Sequence, residues 1–145
     1  MYVVEERAPG RPLLVSDVDV RLPATLTASG LAMLAELAPA QVRALFPDAG
    51  AFVTRHGAGP RTPSELRAEL SRTRRAGHAH EVDSVTPGFE SVGVPVRDPH
   101  GHPVAAVAVT WPREHPPALV DVEAIVTHLR TAAAEVERRL GAVPG

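Results

Sequence analysis

The sequence predicts an α+β domain in which helices pack on a largely antiparallel sheet. Three observations carry this reading. Five short apolar or alternating stretches are separated by turns bearing proline and glycine. Four longer stretches repeat apolar residues at helical spacing. The chain has 145 residues, 44% hydrophobic and 22% charged, which suits one compact domain with no internal repeat or domain-sized linker.

Two strands come first. Tyr2 to Arg7 opens with β-branched apolar residues and is broken by Ala8-Pro9-Gly10, because proline lacks an amide donor and glycine tolerates positive φ. Leu13 to Val20 then alternates, so a hairpin is expected. Beyond Pro23 a helix is expected from about Thr27 to Leu37, with Leu31, Leu34 and Ala35 on one stripe and Thr25 or Thr27 as cap. Pro39 opens a short helix through Val42, Leu45 and Phe46. Pro47 to Arg61 reads as a loop with a short extended piece at Ala51 to Thr54.

Thr62-Pro63-Ser64-Glu65 is a capping box with proline at the first helical position; its helix runs to about Ala76 and stops at Gly77. Arg72, Arg74 and Arg75 near its end meet the negative pole of the helix dipole, a structural role. Strands follow at Ala79 to Ser84, Phe89 to Arg97 and His102 to Trp111, with turns at Pro87-Gly88 and Asp98-Pro99-His100-Gly101. The last of these strands is almost wholly apolar, which predicts a central position covered on both faces. A final helix spans about Ala118 to Leu140, with Leu119, Val122, Ile125, Val126, Leu129, Ala133, Val136 and Leu140 on its buried stripe.

Composition excludes several function classes. Cysteine is absent, which removes disulfides, thiolate metal sites and cysteine nucleophiles. The net charge of −2 lacks the basic excess of a free-standing nucleic-acid binder. No apolar run reaches the roughly 18 residues a membrane span needs, and the amino terminus does not read as a secretory signal. A cytoplasmic location is the simplest expectation.

Several motifs, in order, resemble one family. Arg21-Leu22-Pro23 and Thr27-Ala28-Ser29-Gly30-Leu31-Ala32-Met33-Leu34-Ala35 resemble the first long helix of the effector-binding domain of IclR-type transcriptional regulators. Thr62 to Leu70 with Arg74 to Ala79 resembles its second helix and the next strand, and Pro87 to Asp98 with Gly101 to Val109 its closing hairpin. Ala132-Ala133-Ala134-Glu135-Val136 and Arg138-Arg139-Leu140-Gly141 resemble its last helix. The resemblance implies a GAF-like fold and a single effector-binding domain over residues 1–145 that binds a small molecule and performs no catalysis. It also implies a homodimer or tetramer that reaches DNA only through a domain absent from this chain, which starts near the family's second strand, beyond its first helix and strand.

The resemblance further implies that Leu26, Thr27, Ala28, Ser29, Glu81, Ser91, Ala108 and Thr110 contact the effector. Read as residues, a helix amino terminus near Thr27 offers free amides to a carboxylate, and is equally a plain cap. Ser91 and Thr110 can donate and accept hydrogen bonds, or serve as ordinary strand residues. Glu81 is either solvent-facing or half-buried with a raised pKa, donating a hydrogen bond to the ligand. Ala108, Trp111, Thr25 and Leu31 depart from common family residues, which points to an organic acid with more apolar or aromatic character. The alternative function is a stand-alone GAF-like protein-interaction domain without a natural ligand.

His78 and His80 share a strand face, as do His100 and His102 across a turn, but no third ligand is placed beside either pair. No metal or cofactor is expected. Asp17, Asp19 and Asp83 stand without a nucleophile elbow, phosphate loop or zinc-hydrolase motif, so no enzyme is expected either.

Overall fold

A glycine in mid-strand fixes how the layers meet. The computed structural model describes residues 20–114 and 121–142. Their order is α1 (Ala28–Glu36), α2 (Pro39–Leu45), a 3-10 turn (Ala49–Ala51), α3 (Pro63–Ala76), β1 (Ala79–Val82), β2 (Phe89–Arg97), β3 (Pro103–Pro112) and α4 (Val122–Ala142). The strands form an antiparallel sheet in the order β1-β2-β3. The α+β class stands, and each described element falls close to its expected place. The first expected hairpin, with Asp17 and Asp19, lies outside the described residues apart from Val20.

Register divides the sheet into two faces. Ala79, Gly93 and Ala108 are aligned across the strands, as are Glu81, Ser91 and Thr110 in the neighbouring row. Side chains paired in this way share a face. The opposite face carries Val92, Val94 and Val96, which pack with Trp111 against Val126, Leu129 and Ala133 of α4. On the first face lies α1. A Cβ added to Gly93 would sit 2.9 Å from the Ala28 carbonyl carbon and 3.1 Å from the Ser29 amide nitrogen. Glycine therefore lets the helix backbone rest directly on the strand. The apolar stripe of α1 continues outward to Val42 of α2 and Leu66 and Leu70 of α3, so α1 is sandwiched between the sheet and a second helical layer.

Helix ends follow the local signals. The Thr27 hydroxyl accepts the Gly30 amide at 2.9 Å, and the Thr62 hydroxyl accepts the Glu65 amide at 3.1 Å. Gly77 ends α3 at φ 73°. Arg74 bonds out of that last turn, its Nε donating to the Ala35 carbonyl at 2.6 Å, which ties α3 to the end of α1. Arg97 does the same for three elements. Its Nε donates to Glu36 Oε2 at 2.7 Å and its amide to Glu137 Oε1 at 2.8 Å, joining β2 to α1 and α4.

One expectation is corrected: on α4, Val136 and Leu140, expected on the buried stripe, are 40% and 41% exposed. Among the described residues β2 pairs with both β1 and β3, while β3 pairs with β2 alone; the expected central place of β3 depends on the first hairpin, which lies outside the described residues. A 3-10 turn at Ala49–Ala51, where the Asp48 carboxylate captures the Gly50 amide at 2.8 Å, takes the first residue of the piece expected to be extended at Ala51 to Thr54, and Phe52 follows it in extended conformation.

Gly93→Val is expected to destabilise the domain by about 1–3 kcal/mol through overpacking against Ala28, read as a lower midpoint in urea unfolding. An unchanged midpoint would show that α1 does not rest on β2.

Candidate functional site

Seven of the eight sequence-predicted residues come together on one face of the sheet, and Leu26 packs away from it against Gly59. Thr27, Ala28 and Ser29 start α1, directly over Gly93. In the strand row next to Gly93 stand Glu81, Ser91 and Thr110, and Ala108 lies opposite Gly93 itself. Leu26 is fully buried just before the helix, in a turn where its amide donates to the Pro23 carbonyl. Gly59, at φ 84°, leaves room for the Leu26 side chain.

The row is graded in exposure. Glu81 and Ser91 are buried, Ala108 and Ser29 half-buried, and Thr110 exposed. It is thus closed toward β1 and open toward β3. Ser91 Oγ and Thr110 Oγ1 are 2.9 Å apart and hydrogen-bonded. Glu81 Oε1 accepts the Ser84 amide at 2.6 Å and the Val85 amide at 3.4 Å. These amides are presented because the chain leaves β1 at Asp83, which adopts φ 60° and closes a loop through the Gly88 amide.

Burial pushes the Glu81 carboxyl above the usual carboxylate range, opposed by hydrogen bonding from the Ser84 amide, the Ser91 hydroxyl and the Val85 amide. Burial prevails because desolvation penalises the charged form more than these bonds favour it. At the helix start, the Gly30 amide is taken by Thr27, while the amides of Ala28 and Ser29 have no acceptor among the described residues. The arrangement therefore holds a carboxyl disposed toward its neutral form, two hydroxyls and the positive end of a helix within one patch.

Thr27 is an N-cap in its own right, so its hydroxyl is already engaged. Neither of the two best-formed cavities among the described residues is lined by any of the eight predicted residues. One, of about 520 Å³, is wide open beside His56, Asp83, Gly88 and Arg113; the other, of about 120 Å³, lies between α2 and α3. Trp111 belongs to the opposite face, where its Nε1 donates to Glu90, so its bulk stays out of the row. Sequence reasoning missed two contributors: the Ser84 and Val85 amides that hold Glu81, and Gly93 as the point of close approach. A glycine inside an apolar strand was the available signal for the second.

The histidines are spread out. His80 Nε2 stands 3.3 Å from Glu90 Oε2 on the exposed side of β1. His100 and His102 flank Asp98, which accepts both their amides in the hairpin turn. Among the described residues no group of three His, Asp or Glu is placed to hold a metal ion, and no helix is long and apolar enough to cross a membrane.

Known proteins share this architecture. Residues 1–138 match the family described as bacterial transcriptional regulator IclR C-terminal. The repressor BlcR of Agobacterium tumefaciens is similar at 28% identity and a TM-score of 0.72, over 88% of this chain and 51% of that one. IclR of Thermotoga maritima is similar at 25% identity and a TM-score of 0.76, over 94% and 53%. An IclR homolog of Microbacterium hydrocarbonoxydans, complexed with 4-hydroxybenzoate, shares the fold at 24% identity and a TM-score of 0.73, over 93% and 53%. The chain thus spans about half the length of these structures. No curated protein matches it.

The raised pKa of Glu81 has a pH signature. Below the ordinary value of 4.5 the group is neutral in both folded and unfolded chains and burial is uncharged. As pH rises from there through the higher folded value, the unfolded chain ionises first, and stability is lost. The difference in unfolding free energy between Glu81→Gln and the parent should therefore grow in favour of the variant across that window, measured by urea titration at a series of pH values. A pH-independent difference would contradict the burial of this carboxyl.

Proposed function

Because the chain belongs to the family of C-terminal domains of IclR-type bacterial transcriptional regulators, we propose that it senses a small organic carboxylate on the patch formed by Glu81, Ser91, Thr110 and the start of α1. The observation that carries this reading is the alignment of a buried carboxyl with two hydroxyls, next to helix amides that have no acceptor among the described residues. Each group suits one part of such a ligand. The Ala28 and Ser29 amides meet a carboxylate, which the helix dipole also favours. A protonated Glu81 donates a hydrogen bond to an anion where an ionised one would repel it. Ser91 and Thr110 orient the remaining polar atoms, and Ala108, half-buried, offers apolar surface.

The ligand enters from the β3 side, where Thr110 is exposed, and displaces the bond between Ser91 and Thr110. Since the inner end is packed, binding separates α1 from the sheet, and the energy of that separation couples the ligand to the position of the helix. In the whole regulator, a shift of α1 alters how copies of the domain associate, and through that a DNA-binding unit. An aromatic acid is the favoured class, because 4-hydroxybenzoate occupies the Microbacterium homolog of the same fold.

Titration with 4-hydroxybenzoate and a panel of aliphatic monocarboxylates, followed by thermal shift and calorimetry, tests the reading. A saturable rise in melting temperature is expected for at least one acid. Ser91→Ala combined with Thr110→Val should weaken that binding by about 1–3 kcal/mol, the cost of leaving a buried polar group unpaired. Absence of any stabilising acid, or binding indifferent to the double variant, removes the site and leaves the protein-interaction reading.

A further inference from the structure

A second feature lies on the far side of the helical layer. Val42 and Phe46 stand one turn apart on α2, and Leu66 and Leu70 one turn apart on α3. Together they floor a cleft of about 120 Å³. Arg43, Arg67 and Arg74, all exposed, border it. No acidic residue lines it. We infer that this cleft binds a small carboxylate carrying one ring-sized apolar group, at a place separate from the patch beneath α1.

Size is the first ground. The cleft approaches the roughly 150 Å³ of an apolar protein cavity known to hold benzene. One ring, or one branched chain of similar bulk, fills it; a longer lipid chain does not fit. Its floor is apolar, with Val42, Leu66 and Leu70 buried and the Phe46 ring tilted against Phe52 at 5.4 Å, so an apolar group gains by entering.

Charge is the second. Arg43 and Arg67 make no side-chain hydrogen bond or ion pair among the described residues, and Arg74 spends its Nε and one terminal nitrogen on the carbonyls of Ala35 and Leu37. The carboxylates nearest in sequence are engaged elsewhere. Glu36 pairs with Arg97, Glu65 accepts the Arg61 amide, Glu69 pairs with Arg72, and Asp48 holds the Gly50 amide. The border is therefore cationic, with no anion among the described residues to neutralise it, which favours a carboxylate over a neutral or basic head group. Arginine presents its donors in a planar fork that matches both oxygens of a carboxylate.

Benzoate is the probe that tests this, titrated into the isotope-labelled chain and followed by amide resonances. It is expected to perturb Val42, Leu66 and Leu70 saturably, with benzyl alcohol and acetate each binding there at least about tenfold more weakly because each lacks one half of the match. Arg43→Gln combined with Arg67→Gln, two exposed changes, should weaken benzoate at these residues by about tenfold or more, and leave any response at Ser91 and Thr110 as it was. Perturbation confined to Ser91, Thr110 and the start of α1 overturns the second site while sustaining the first. Equal binding of benzyl alcohol, or benzoate binding unmoved by the double variant, also overturns it.

Discussion

The contact between the start of α1 and Gly93 is the constraint from which the architecture follows. Helix and strand backbones meet there with no side chain between them. That contact sets the depth of α1, and with it which row of the sheet lies beneath the helix's unpaired amides. It also exposes the apolar outer stripe of α1 to α2 and α3, which must cover it to remove Leu31, Leu34 and Ala35 from water. The two arginine ties, Arg74 to the Ala35 carbonyl and Arg97 to Glu36, both act at the other end of α1. The helix is thus clamped at its carboxyl end and rests on a glycine at its amino end. A ligand inserted beneath its amino terminus would tilt it about the clamped end.

The polar row under α1 is costly to keep. A carboxyl buried like that of Glu81 disfavours its own charge, and its three amide and hydroxyl partners do not fully offset the lost hydration. Replacement by an apolar residue would be the stabilising choice at such a position. Under the proposed function, an acid placed there, in line with two hydroxyls and beside a helix start, trades stability for recognition. In the chain as it stands, the groups satisfy one another: Glu81 with the Ser84 and Val85 amides, Ser91 with Thr110. Recognition of a ligand is then an exchange of partners, which limits net affinity and raises selectivity.

Much of the helical layer was legible from local chemistry. The Thr62 start, the Gly77 stop and the Thr27 cap depend on residues within a few positions of one another and appear as read, while the capping box forms only in half: Thr62 accepts the Glu65 amide, but the Glu65 carboxylate takes the Arg61 amide instead of that of Thr62. The strands Phe89–Arg97 and Pro103–Pro112 were fixed by the turn between them, where Asp98 captures the His100 and His102 amides. The site residues were named through family resemblance; composition and spacing alone left Glu81 open between solvent and core. Trp111 shows the same limit: its bulk suggested an altered pocket, and strand parity put it on the other face.

The sequence by itself determined the class of fold, the places of the described helices and the hairpin turns, since caps, stops, turns and apolar period act over short separations along the chain. Only the tertiary structure decided which side chains share a patch. Glu81, Ser91 and Thr110 are aligned by interstrand hydrogen bonds, and α1 is brought above them by the missing side chain of Gly93. Those relations join residues far apart in sequence, and they are set by packing of the whole layer, which no local pattern encodes.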